Sequence, residues 1–123
     1  MPCSDSTAEY RPFANEGSRN WRQEHVEIPL MLRALDLPRG KRVLEVGCGR
    51  GIALPALAHH LRPSRLVGID IDAGLLRQAG QRLRESEAAA ELIMADIRRL
   101  PFADRQFDVV IDFGTCFHVA RAP

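Results

Sequence analysis

Apolar residues along this chain follow two alternating spacings. From Val26 onward they recur at positions i, i+3, i+4 and i+7, as on one face of a helix, and this pattern ends before Pro38-Arg39-Gly40. Residues 42–46 are then a short run dominated by Val and Leu, which is typical of a buried strand. A helix followed by a strand is therefore the first pair of elements that we expect.

The same two patterns repeat further along the chain. Residues 54–61 return to the helical spacing, with Pro55 tolerated in the first turn and Pro63 ending the helix. Asp72 is the expected N-cap of a third helix, which carries Leu75, Leu76 and Leu83 on its apolar side. Three more runs are typical of short strands: residues 66–69, 91–94 and 107–111.

Strands that alternate with helices predict an α/β fold with a doubly wound, mostly parallel, Rossmann-like sheet. Such a sheet continues past its fourth strand, whereas only residues 113–123 remain here. We therefore expect a sheet that is truncated after strand four. Its open edge needs cover, either from a missing C-terminal half or from a second copy in a homo-oligomer.

Composition narrows the class of partner. With 46% hydrophobic residues and a formal charge of +1 in 123 residues, the chain can form one domain with a real core, and no basic face suggests nucleic acid. No run approaches the roughly 20 apolar residues of a membrane helix, and no signal peptide is recognisable. We expect a cytoplasmic protein with a small-molecule substrate. Three widely spaced cysteines without a C-x-x-C pair argue against disulfides and a metal site: Cys3, Cys48 and Cys116.

The candidate chemistry starts in the loop after the first strand. Gly47, Gly49 and Gly51 allow a sharp turn and a close approach of the backbone to a ligand. Glu45, near the end of the buried strand, costs free energy unless its carboxylate is hydrogen-bonded or meets a cation. The loop therefore indicates a nucleotide-like ligand that carries positive charge or hydroxyls. A tight strand-to-helix turn without a ligand is the alternative.

The residues on either side of this loop indicate which class of nucleotide ligand it would bind. The dinucleotide fingerprint needs a small residue where Ile52 stands, and the chain has no Gly-Lys-Ser or Gly-Lys-Thr of a P-loop. Asp70 lies about twenty residues after the loop, the spacing that places an acid on ribose hydroxyls. Asp96 and Asp112 also follow strands and reach the same edge of the sheet, although an aspartate there also commonly begins a turn. A ligand with ribose, adenine and a cationic tail, but no phosphate, fits these acids.

Four segments, taken in order and spacing, resemble the class I S-adenosylmethionine-dependent methyltransferases, and the type 11 methyltransferase domain in particular. They are VLEVGCGRG at 43–51, LVGIDI at 66–71, ADI through LPF at 95–102, and FDVV at 107–110. The resemblance covers residues 26–119. It implies a domain that binds S-adenosylmethionine over residues 23–123, as the N-terminal half of a methyltransferase fold. The polar, turn-rich composition of residues 1–22 predicts an arm before this domain.

The resemblance also implies roles at the methionine end of the cofactor. The loop at 47–51, including Cys48, would pass under the methionine portion, and Glu45 would help to hold its ammonium group. Asp112 and Phe113, after the fourth strand, would line the same end and the path to the substrate. The reaction implied is direct displacement of the sulfonium methyl group by a small-molecule nucleophile.

At the nucleoside end, the resemblance assigns Asp70 to the ribose hydroxyls and Ile71 to packing on the adenine. Asp96, together with the backbone of Ile97, would contact the edge of the adenine ring.

Two questions stay open from the sequence. His118 follows the fourth strand, where it is a candidate general base or substrate contact, with an ordinary surface or core histidine as the alternative. The function alternatives are a non-catalytic cofactor-binding fragment or module and a nicotinamide or flavin oxidoreductase.

Overall fold

The computed structural model describes residues 16–113, which form a parallel sheet with helices on one face. The helices are α1 (Glu16–Arg22), α2 (Ile28–Leu35), α3 (Leu54–Leu61) and α4 (Ala73–Glu85), and a π-helical segment (Gln23–Glu27) joins α1 to α2. The strands are β1 (Arg42–Val46), β2 (Arg65–Asp70), β3 (Glu91–Met94) and β4 (Val109–Asp112). This architecture confirms the expected α/β class.

The sheet has the strand order β3-β2-β1-β4, and every neighbouring pair is parallel. β1 lies in its interior, with Val46 level with Ile69 on β2 and with Asp112 on β4. The chain moves outward from β1 to β3 and then returns to the other side, so the strand order reverses between β1 and β4. Parallel pairing also brings the ends of all four strands to one edge of the sheet, which we call the carboxyl edge.

The two faces of the sheet are covered differently. On the helical face, Val43, Leu66 and Ile111 contact the helices, and Glu45 shares this face with Val43 because side chains alternate along a strand. The buried residues that the helices contribute are Ile28, Leu32, Leu54, Leu57, Leu61 and Leu83.

The opposite face, which we call the loop face, is packed by the segment between β3 and β4. Its buried residues are Leu44, Val46, Val67 and Ile69. Phe102 and Phe107 from the connecting segment lie against them, with ring centroids 4.9 Å apart in an edge-to-face arrangement.

Two element boundaries differ from the sequence prediction by more than one residue. The first helical segment begins at Glu16, inside the stretch expected to be an arm, and continues through the π-helical segment without a break. This part is polar, and Trp21 stacks on His25 at 5.0 Å instead of packing into the core, so no apolar repeat revealed it. The division of the chain at residues 22 and 23 stays a prediction.

The second difference is at β4, which starts at Val109 and not at Phe107. Asp108 is tied to the start of β1 instead: its amide donates to the Arg42 carbonyl at 2.9 Å, and its carboxylate accepts from the Arg42 amide at 2.9 Å. The Arg42 guanidinium also holds this carboxylate and lowers the pKa of Asp108 to about 2. This pair fixes the register of β4 beside β1.

Gly51 sets how closely the glycine loop approaches α4. Its φ is +79°, and an added Cβ would lie 2.8 Å from the Cβ of Ala79 and 2.9 Å from its Cα. Ala79 is fully buried on α4, so the loop and this helix meet without room for a methyl group. Gly40 has a similar φ of +74° but no atom within 4 Å of the same position.

This contrast provides a matched pair of substitutions. We expect Gly40→Ala to lower the free energy of unfolding by about 1 kcal/mol, the cost of a left-handed alanine, and Gly51→Ala to lower it by about 2–5 kcal/mol because overpacking is added. Urea denaturation of the two variants checks this. Equal losses would show that the contact with Ala79 is not tight.

Candidate functional site

The candidate site lies at the carboxyl edge, where the strand order reverses between β1 and β4. In open α/β sheets this is the position at which ligands bind. Glu45 is on β1 and Asp112 ends β4, while Asp70 ends β2 on the other side of β1. The expected convergence of these three acids at one edge is therefore observed.

Glu45 is the buried acid of this group. Only 3% of the residue is exposed, and within residues 16–113 its Oε1 atom has no hydrogen-bond partner. Burial raises the pKa of Glu45 to about 8, and the nearby charges of Asp112 and Asp70 add to the effect. A buried carboxyl group with one oxygen that lacks a hydrogen bond from these residues points to a cationic or hydrogen-bonding ligand.

The glycine loop closes over the end of β1 and is fastened to β2. Gly47 and Gly49 have φ of +64° and +55°, which the left-handed turn requires. The Gly49 amide donates to Asp70 Oδ2 at 2.9 Å, and the Cys48 amide donates to the Ile69 carbonyl at 2.9 Å. Among residues 16–113, no atom lies within 4 Å of the place that a Gly49 Cβ would occupy, so this part of the chain leaves space for a ligand beside the glycine.

Cys48 contributes to the packing of this loop. It is buried, and burial raises the pKa of its thiol, with Glu45 and Asp70 adding to the rise. Its side chain lies over Gly68 on β2, where an added Cβ would be 3.0 Å from Cys48 Sγ and 3.2 Å from Leu54 Cδ1. Gly68 is a site-forming residue that the sequence analysis missed, although a glycine inside a strand pattern is a signal for such a close approach.

Asp70 and Ile71 stand side by side at the end of β2. Asp70 Oδ2 accepts from Gly49 and Oδ1 accepts from the Asp72 amide at 2.9 Å. A carboxylate has about four acceptor positions, so these two bonds leave capacity for hydroxyl groups. Ile71 follows with 67% of its surface exposed, an apolar side chain beside a polar site.

The carboxylate of Asp96 forms an ion pair with the guanidinium of Arg98. Its two carboxylate oxygens accept from Arg98, with the Nη2 to Oδ2 contact at 2.6 Å, and this ion pair lowers the pKa of Asp96 to about 2. Asp96 is not one of the charges that act on Glu45. Ile97 packs against the loop face. The structure therefore brings Glu45, Asp70 and Asp112 together, while Asp96, which follows β3 at the same edge, is paired with Arg98.

The end of the described chain contributes Phe113, which packs against the core of the helical face. His118, the candidate general base, and Cys116 lie outside the described residues. Among residues 16–113, no group of three or more His, Cys, Asp or Glu side chains is placed to hold a metal ion. In the same part of the chain, no helix has the length and apolar character needed to cross a membrane.

Comparison with known proteins decides the family. A family model described as a methyltransferase domain matches residues 43–123. The chain belongs to this methyltransferase family. It is 40% identical over 73 residues to a fatty-acid O-methyltransferase of Mycolicibacterium smegmatis, which covers 59% of this chain and 26% of the relative.

Two further similarities agree with this assignment. A phosphatidylethanolamine N-methyltransferase of Cereibacter sphaeroides is 40% identical over 75 residues, covering 59% of this chain and 36% of the relative. A SAM-dependent methyltransferase structure from Aquifex aeolicus has a TM-score of 0.73 at 19% identity, covering 99% of this chain and 62% of that one. The chain thus spans 26% of the length of the fatty-acid O-methyltransferase and 36% of the length of the phosphatidylethanolamine N-methyltransferase.

These findings confirm the expected class I S-adenosylmethionine-dependent methyltransferase fold and family, and they support S-adenosylmethionine as the cofactor. They favour this methyltransferase domain over the oxidoreductase alternative. The roles of its individual site residues stay predictions.

The buried carboxyl makes the stability of this methyltransferase domain depend on pH. The folded-state pKa of Glu45 is about 8 and the ordinary value is 4.5, so between these values the folded protein holds a proton that the unfolded chain has lost. Stability therefore falls as pH rises through this window. We expect Glu45→Gln, which cannot ionise, to be more stable than the parent by on the order of 4 kcal/mol at pH 9, with the gain vanishing near pH 4.5.

Thermal or urea unfolding over this pH range tests the expectation, with the exposed Glu24→Gln as the charge-matched control. A constant difference between Glu45→Gln and the parent at all pH values would contradict the assigned pKa.

Proposed function

We propose that this domain binds S-adenosylmethionine at the carboxyl edge and supports transfer of its methyl group to a small, lipid-like acceptor. The observation that carries the proposal is the buried carboxyl of Glu45, without a hydrogen bond to Oε1 from the described residues, beneath a glycine loop with open space beside Gly49. The cofactor has an ammonium group for such a carboxylate and no phosphate that the surrounding acids would repel.

The other residues suit the remaining parts of the cofactor. Asp70 has acceptor capacity left for the two ribose hydroxyls, and the exposed face of Ile71 is suited to cover the adenine ring. Asp96 reaches the adenine edge in this proposal only by sharing its oxygens with Arg98 or by releasing it.

The bound cofactor supplies a methyl group on a sulfonium, which is already a good leaving group. The contribution of the domain is then to fix one reactant: the loop glycines and Glu45 hold the amino-acid end, and Asp70 holds the ribose. Fixed placement of this kind accounts for several kcal/mol of a displacement barrier, about 7 or more in the best cases.

A lipid-like acceptor is supported by the names of the relatives, one a fatty-acid O-methyltransferase and the other a phosphatidylethanolamine N-methyltransferase. The substrates in these two names are methylated on different atoms, oxygen and nitrogen, but both contain an acyl chain. The proposal for this domain is therefore a substrate class and not an acceptor atom.

Titration calorimetry tests the binding proposal. We expect the protein to bind S-adenosylhomocysteine and to give no heat with NADH, because Ile52 fills the position where a dinucleotide needs a small residue. Transfer of a labelled methyl group from S-adenosylmethionine to a long-chain fatty acid or to phosphatidylethanolamine then tests the acceptor class. Binding of NADH without S-adenosylhomocysteine would refute the proposed function.

The glycine loop provides a second test. Gly49 and Gly40 both have positive φ and open space around the missing Cβ, so alanine at either position should cost similar stability. We expect Gly49→Ala to weaken binding of S-adenosylhomocysteine by tenfold or more, about 1.4 kcal/mol, because its methyl group occupies ligand space. Gly40→Ala should bind as the parent does, and equal affinities of the two variants would place the ligand elsewhere.

A further inference from the structure

Among residues 16–113, no cation counts among the groups that shift the pKa of the Glu45 carboxyl group. Its Oε1 atom has no hydrogen-bond partner among the described residues, and 3% of the residue is exposed. Burial of an ionised carboxylate in this state is costly, and a proton removes the cost. These surroundings therefore favour the protonated form of Glu45.

The groups around Glu45 reinforce this preference. β2 presents Asp70 and β4 presents Asp112, and both negative charges raise the pKa of Glu45. The glycine loop contributes the thiol of Cys48, whose ionisation Glu45 opposes in turn.

The helices place little positive charge near Glu45 that would lower its pKa. α2 presents the apolar Ile28 and Leu32, and α3 begins with the fully buried Leu54. The cation of the loop, Arg50, donates from Nη1 to Asn20 on α1 at 3.4 Å. α4 contributes Arg82, which donates to the Arg50 carbonyl at 3.3 Å.

We propose that Glu45 is a specificity-determining residue that gives up its proton when a nucleoside carrying an α-ammonium group binds, and keeps it when the nucleoside has no such group. This inference rests on the proposed function and adds a proton to its binding step. The ammonium replaces the proton as the positive partner of the carboxylate, and the proton leaves to the buffer. Ligands without the amino-acid portion, such as 5′-methylthioadenosine, place no cation near Glu45 and leave it protonated.

The exchange makes affinity depend on pH for one ligand class only. Since the pKa of Glu45 is about 8 before a cation binds, about 0.9 proton should be released per S-adenosylhomocysteine bound at pH 7. Its Kd should fall about tenfold between pH 6 and pH 7. The Kd of 5′-methylthioadenosine should change little over this range.

Calorimetry at pH 7 in phosphate, HEPES and Tris, whose ionisation enthalpies differ, counts the protons directly on the unmodified protein. We expect a release of about 0.9 for S-adenosylhomocysteine and near zero for 5′-methylthioadenosine. Glu45→Gln should reduce the first value to near zero, while Glu45→Asp, which keeps an ionisable group, should retain release. The number of protons released by the unmodified protein can be measured even if neither variant folds.

The outcomes separate the two proposals. If S-adenosylhomocysteine binds with no proton release, or if both ligands release the same number, this inference fails while the proposed function stands. If S-adenosylhomocysteine does not bind, the proposed function fails. Release that persists undiminished in a folded Glu45→Gln variant would assign the proton to another group and overturn the inference.

Discussion

The interior position of β1 is the constraint on which the rest of this structure depends. β1 pairs with β2 on one side and β4 on the other, and it delivers Glu45 to the point where the strand order reverses. Because both neighbours are parallel to it, their terminal acids arrive at the same edge. Glu45, one residue before the end of the central strand, and the terminal acids of its two parallel neighbours therefore meet at one edge of the sheet.

The glycine loop covers one side of this acidic edge of the sheet. Its positive φ angles turn the chain back over β1, and the bond from Gly49 to Asp70 fastens the turn to β2. The loop packs closely against α4, where Gly51 meets Ala79, and against the sheet, where Cys48 meets Gly68. The backbone of the loop is thus held by packing against α4 and β2.

Much of this arrangement could be predicted from the sequence, because it depends on local patterns. Strands such as residues 66–69 follow from apolar runs, the cap at Asp72 from residue type, and the site from an acid placed before alternating glycines. Asp72 Oδ1 does accept from the amides of Gly74 and Leu75. What escaped prediction depends on pairwise geometry. The ion pair of Asp96 with Arg98 joins two exposed side chains that no periodicity specifies, and a polar helix from Glu16 has no apolar face to reveal it.

Burial of the Cys48 thiol also makes the loop a reporter of its own motion. Cys48 is covered by the turn that contains it and lies against Gly68, so a thiol reagent reaches Sγ only when the turn lifts away from β2. The rate of modification at this one sulfur then counts openings of the glycine loop, an event measured in populations and lifetimes. A ligand that bridged the loop and Asp70 would lengthen the closed interval, and slower modification of Cys48 would then report its binding.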